Sequence, residues 1–208
     1  KLLKGQQLPW AVTAAFGDNL FKAAASASEP LDLSDTQLEQ LKTLGTLLNY
    51  NGYGSTLEDL YFPPAELYKR VQPHASPFTF IHEDDAFTTL ANGFESDYAK
   101  AVSITAERST DNTAIFIFPN DPFARRISGV YANELAQQSP DRSHALLSEL
   151  EDGSYLVSVR APLNNRTGAD ELCRQFETGG GRKAAAGINK LPSSDLETFA
   201  KAMSTQFG

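Results

Sequence analysis

Thr113-Ala114-Ile115-Phe116-Ile117-Phe118 carries no ionised side chain, no glycine and no proline. The apolar–polar alternation of a strand wetted on one side is absent. A continuous apolar run of this length suits a central strand covered on both faces. Asp111-Asn112 precede it as turn formers, and Asn120-Asp121-Pro122 follow as a helix start. This part of the chain is therefore expected to be α/β, with helices packed against a sheet.

The residues before it read as helical. Residues 8–27 form a helical pattern with Pro9 in the first turn and Trp10, Thr13, Ala14 and Leu20 as a buried stripe. Gly17-Asp18 interrupts that pattern, and a buried strand or loop ending at Asp18 is the alternative. Ser34 and Gln37 spell a capping box for a helix with Leu38, Leu41, Leu44 and Leu48 at helical spacing. Ser55 and Glu58 spell a second box, stopped by Pro63-Pro64, and Pro64 opens a helix through Val71. Gln72 to His82, rich in proline and aromatics, reads as an irregular crossing. From Asp84 to Glu107 the 3.6-residue period holds through Phe87, Leu90, Ala91, Phe94, Tyr98, Ala101, Val102 and Thr105. Such a helix would span roughly 36 Å and would serve as a connector.

After the apolar strand the expected order is a helix with Ile127, Val130, Tyr131 and Leu135 on one face, then a strand His144–Leu150. Asp152-Gly153 signals a hairpin into Ser154–Arg160. A short helix 169–176, a glycine loop, a closing strand 188–191 and a terminal helix capped by Ser194 and Glu197 complete the chain. On the second hairpin arm Tyr155, Val157 and Val159 share one face, and Ser158 and Arg160 share the other.

Charge is unevenly spread. The net charge is −8, so the molecule as a whole does not attract nucleic acid. Residues 1–100 hold 7 basic and 13 acidic side chains, whereas residues 151–208 hold 7 of each. Arg160, Arg166, Arg174, Arg182 and Lys183 all fall in that tail, which is where an anion is expected to bind. No stretch approaches the roughly 18 apolar residues of a membrane span. The single cysteine, Cys173, has no internal disulfide partner and no basic-then-apolar leader is visible, so the cytoplasm is the expected compartment. The chain begins at Lys1 and its one methionine is Met203, so it is expected to be a fragment.

The tail holds Gly179-Gly180-Gly181-Arg182-Lys183-Ala184-Ala185-Ala186-Gly187. Three glycines let another molecule approach the main chain. Exposed N–H groups in such a loop can form a concave anion site, and arginine adds bidentate contacts to phosphate. A structural glycine loop is the plainer reading.

Leu156-Val157-Ser158-Val159-Arg160, the helix 169–176 and the glycine stretch together resemble the DHH-associated domain. Arg126-Ile127-Ser128-Gly129-Val130-Tyr131-Ala132-Asn133 resembles a helix of the same domain. That domain accompanies the catalytic domain of DHH phosphoesterases, which include RecJ-type exonucleases, oligoribonucleases and cyclic-dinucleotide phosphodiesterases. The resemblance implies residues 1–82 as the end of the catalytic domain plus a helical linker, 83–108 as a connector helix, and 109–208 as a small mixed-sheet substrate-binding domain. It implies a parent hydrolase of nucleotides or short single-stranded oligonucleotides. Gly179, Gly180, Gly181 and Arg182 would contact the phosphate, Arg160 would be a second anion contact, and Ser158 would stand beside it. Arg182 occupies the place of a usual histidine. Arginine stays charged at neutral pH and moves no protons, so its implied role is to clamp charge.

Ala14-Ala15-Phe16-Gly17-Asp18 resembles a late metal motif of the catalytic domain, which implies Asp18 as a ligand and Mn2+ as the metal. Asn49 to Gly54, Leu57 to Leu60 and Pro77-Phe78 resemble the linker of archaeal-type members. Nothing spells Asp-His-His, and His74, His82 and His144 lack ligand spacing. No complete catalytic set is expected in this chain, and the chain alone is expected to be inactive. A binding module that senses a nucleotide or single-stranded nucleic acid without cleaving it is the alternative.

Overall fold

The computed structural model describes residues 5–208. The chain divides into two compact units, the first ending at Ser96 and the second running from Asp97 to Gly208.

The first unit is helical. Helix α1 (Leu8–Gly17) has Pro9 in its first turn. Helix α2 (Phe21–Ser28) follows a sharp break, so residues 8–27 are two helices rather than one. The cause lies at Gly17 and Asn19. A Cβ on Gly17 would sit 2.6 Å from the Gly45 carbonyl oxygen, which marks a backbone-to-backbone approach to α3 (Asp35–Tyr50). Asn19 adopts φ 60, a left-handed geometry that asparagine tolerates. Ser34 and Gln37 form the capping box that starts α3.

The second expected box is shifted by one residue. Asp59 accepts from the backbone of Ser55 and Thr56, and Thr56 caps a short 3-10 turn, Leu57–Asp59. Helix α4 is Pro64–Val71. The stretch 72–82 is not wholly irregular, because Pro77–Glu83 is helix α5. Ser76 accepts from the Phe78 N–H and Pro77 sits in the first turn, a helix start that needs no donor from proline. Helix α6 (Asp85–Ser103) stops four residues before the expected Glu107. There the backbone is taken by the sheet, since the Glu107 N–H donates to the Ile115 carbonyl at 2.8 Å.

Clusters of buried side chains hold this unit. Leu44, Leu47, Phe80 and Leu90 are buried in one, and Val12, Phe16, Ala24 and Leu41 in another. Each large side chain contributes about 1.5–3 kcal/mol of burial free energy. Asn51 ties the end of α3 to Phe62. Its Nδ2 donates to the Phe62 carbonyl at 2.8 Å, and its Oδ1 accepts from the Phe62 N–H at 3.1 Å.

The second unit is built on a six-stranded mixed sheet ordered β1-β2-β3-β4-β6-β5. The strands are β1 (Arg108–Ser109), β2 (Thr113–Phe118), β3 (Ser143–Glu149), β4 (Tyr155–Arg160), β5 (Gly179–Arg182) and β6 (Ala185–Leu191). Among the described residues only β2 and β3 pair in parallel. A parallel pair needs a long crossover, and helix α7 (Pro122–Gln138) supplies it, capped by Asp121. Asp152-Gly153 turns the β3–β4 hairpin, with Gly153 at φ 78.

Side-chain alternation gives the sheet two faces. Ile115, Ala145, Leu147, Val157, Val159 and Ile188 point one way, into a core with α8 (Ala169–Cys173) and α9 (Leu196–Phe207). Ala114, Phe116, Phe118, His144, Leu146, Ser158 and Arg160 point the other way. Tyr131 of α7 covers that face, with ring centroids 6.3 Å from Phe116 and 6.0 Å from Phe118. Helices on both faces are what the apolar β2 required. Helix α8 is shorter than expected. Helix α9 lacks the expected Ser194 cap, because the Ser194 hydroxyl donates to Asp195 instead. Among the described residues, no helix is long and apolar enough to cross a membrane.

Candidate functional site

The glycine stretch is not a loop. Gly179–Arg182 form edge strand β5, joined to β6 by the two-residue turn Lys183-Ala184. Each of its glycines has a different physical reason. A Cβ on Gly179 would lie 1.7 Å from the Cys173 carbonyl oxygen, because the end of α8 rests on this strand. Gly181 sits at φ +143, and a Cβ there would lie 2.5 Å from Cα of Ala186. At Gly180 a Cβ would meet nothing within 4 Å. Packing requires the first and third glycines and does not require the second.

Register shows what lies beside Gly180. It pairs with Gly187, which pairs with Ser158. Paired residues point to the same face, so Ser158, Gly187 and Gly180 form one row. Arg160, Ala185 and Arg182 form the next row, about 6.6 Å along the strands. Arg160 and Arg182 stand two strands apart, about 10 Å at the backbone. The result is a row with almost no side chains, and the row beside it carries an arginine at each end. The residues of both rows are half-buried except Arg182, which is exposed.

Of the residues expected to act, Gly180, Arg182, Arg160 and Ser158 therefore share one face, whereas Gly179 and Gly181 point to the other. Ser158 has a definite task. Its Oγ accepts from Arg160 Nη1 at 2.9 Å. Asn133 of α7 accepts from Arg160 Nε at 2.8 Å. Asn133 lies in the stretch that resembles a helix of the DHH-associated domain, but no spacing singles it out within that stretch. Of the other tail cations, Arg174 is turned to Asp170 at 2.9 Å. Arg166 Nε donates to the Leu163 carbonyl at 3.2 Å.

His144 stands next to Arg160 in the same row, on β3. It is 2% exposed, and its Nδ1 has no hydrogen-bond partner. Burial, reinforced by the Arg142 charge, pushes its pKa down to about 4. It is neutral at physiological pH and adds no charge to the face.

Asp18 follows α1 in the first unit. It is exposed, and its N–H donates to the Ala14 carbonyl at 3.0 Å. His74 faces Asp84 at 3.9 Å. Among the described residues no three His, Cys, Asp or Glu side chains gather as a metal-binding set. A two-metal centre needs several such ligands around ions about 3.5–4 Å apart, and the residues described here do not fit one.

No protein-family model matches the chain, and no curated protein matches it. Among solved structures the chain is similar to a pGpG-specific phosphodiesterase, PggH from Vibrio cholerae, with a TM-score of 0.54 and 12% sequence identity. The likeness covers 90% of this chain and 66% of that one, so the chain spans just under two thirds of that protein's length. What the two share at 12% identity is the fold.

Proposed function

We propose that this chain is the substrate-holding portion of a DHH-type phosphodiesterase that acts on nucleotides or short oligonucleotides. One observation carries the reading. The bare row Ser158–Gly187–Gly180 lies beside the row containing Arg160 and Arg182, and Gly180 has open space where a side chain would stand. Guanidinium groups beside a strip without side chains suit phosphate oxygens. The fold shared with a pGpG-specific phosphodiesterase supports a nucleotide as the ligand class.

In this reading Arg160 and Arg182 bind and neutralise phosphate, and the glycines let it reach the sheet. Manganese, which the family resemblance implies, would supply the activated water. The described residues give it no adequate ligand set, and Asp18 alone would be one ligand of a set completed by residues beyond this chain. No hydrolytic step is assigned to the residues described.

Calorimetric titration with pGpG tests the site. Wild type should bind, and Gly180→Val and Arg182→Ala should weaken binding at least about tenfold with melting temperatures close to wild type. Equal binding by all three proteins would remove the strip from the site. The missing metal set favours a second reading, a nucleotide-binding module without hydrolysis. Manganese-dependent turnover of pGpG by this 208-residue chain would overturn it.

A further inference from the structure

We propose that Asn133 is a positioning residue for Arg160, so that helix α7 sets the direction of one arm of the phosphate clamp. The inference rests on the reading of the Arg160–Arg182 face as a phosphate site, and it adds a residue that lies off the sheet.

Arg160 is long, and an arginine side chain carries about 2 kcal/mol of rotamer entropy. Two contacts remove much of that freedom. Asn133 Oδ1 accepts from Nε at 2.8 Å, and Ser158 Oγ accepts from Nη1 at 2.9 Å. These contacts lie on different edges of the planar guanidinium, so together they fix its plane. An arm ordered before the ligand arrives loses less entropy on binding.

The type of residue matters as much as its place. Arginines of this unit are held by neutral oxygens, Arg125 by Asn120 and Arg142 by Ser109 and the Thr113 carbonyl, and also by carboxylates, Arg126 by Asp97 and Arg174 by Asp170. The carboxylates orient a guanidinium and also offset its charge. The Asn133 amide and the Ser158 hydroxyl orient Arg160 and add no negative charge. The amide orientation is set by its partner, since Nε–H can only donate.

Two measurements test this, and they fail separately. The first is the Arg160 Nε–H signal in 1H–15N NMR of the unliganded chain. In wild type it should be slow to exchange with solvent. Asn133→Ala should speed its exchange, and Asn133→Asp should keep it slow. The second is titration with pGpG. Asn133→Ala should weaken binding about tenfold, a typical loss for a hydrogen bond to a charged group. Asn133→Asp should weaken it too, because it orients the arm and cancels its charge. The double variant Asn133→Ala with Arg160→Ala should bind no worse than Arg160→Ala alone. An unchanged Arg160 signal in Asn133→Ala overturns the positioning role whatever the ligand does. Additive losses in the double variant overturn it as well. Absence of pGpG binding by wild type, with the Arg160 signal behaving as expected, overturns the phosphate-site reading and with it the functional role of Asn133.

Discussion

Asp97 and Arg126 form a two-point ion pair, Nε to Oδ2 at 2.7 Å and Nη2 to Oδ1 at 3.1 Å, with the Asp97 side chain 1% exposed. It joins the last turns of α6 to the first turns of α7. Removing Asp97 takes both of these bonds from a largely buried guanidinium. Asp97→Ala should therefore cost about 3–5 kcal/mol in urea unfolding. Asp97→Leu combined with Arg126→Met should recover most of that loss, because the pair is replaced by apolar packing. A loss below about 1 kcal/mol for the single change would mean that the pair is solvated in solution.

The glycines of β5 should separate in a melting experiment. Gly179→Ala forces a methyl group against the Cys173 carbonyl and should destabilise by about 1–3 kcal/mol, as overpacking does. Gly180→Ala meets open space and should be neutral or stabilising by up to about 1 kcal/mol. Equal effects at the two positions would contradict the assigned strand contacts.

His144 should make stability depend on pH in one window. Unfolded imidazole takes a proton near the ordinary 6.5, whereas buried His144 does so near 4. Between those values the unfolded chain binds more protons. The stability is fully present above about pH 6.5 and is lost as pH falls toward 4. The full loss is up to about 3 kcal/mol at roughly 1.36 kcal/mol per unit. Urea titrations from pH 7 to pH 4 should show this slope in wild type. Subtracting the curve for His144→Leu isolates it from the carboxylates, and parallel curves would refute it.

Cys173 is fully buried, and its thiol is pushed up to about 12 by burial and by the nearby Asp170 charge. The thiolate is the reactive species. A thiol reagent such as Ellman's should therefore report almost no reaction with folded protein at pH 8 and one equivalent in denaturant. Fast native reaction would show that α8 opens readily.

Parts of this architecture were legible in the residues, and the reasons differ. Thr113–Phe118 announced a covered strand because neither face could be left to water. Ser34 and Gln37 announced a helix start because capping is local chemistry. Ser76-Pro77 carried a similar signal, but the prolines and aromatics around it suggested disorder of path. The composition of the glycine stretch suggests a loop, since glycine weakens strands. What makes it a strand is non-local, namely the β6 backbone beside it and α8 resting on Gly179. Ser158 and Arg160 were visible as neighbours on one strand face. Asn133 was not, because no sequence spacing links it to a guanidinium 27 residues away.

Both margins of the sheet are short. β1 has two residues at one edge, and β5 has four at the other, ending in a charged arginine. Unpaired strand edges invite other chains to add on, and long apolar ones seed fibrils. Here an incoming strand would find little ladder to copy and no apolar side chains along β5 to zip against. The strip that leaves room for an anion also makes this margin a poor template for aggregation.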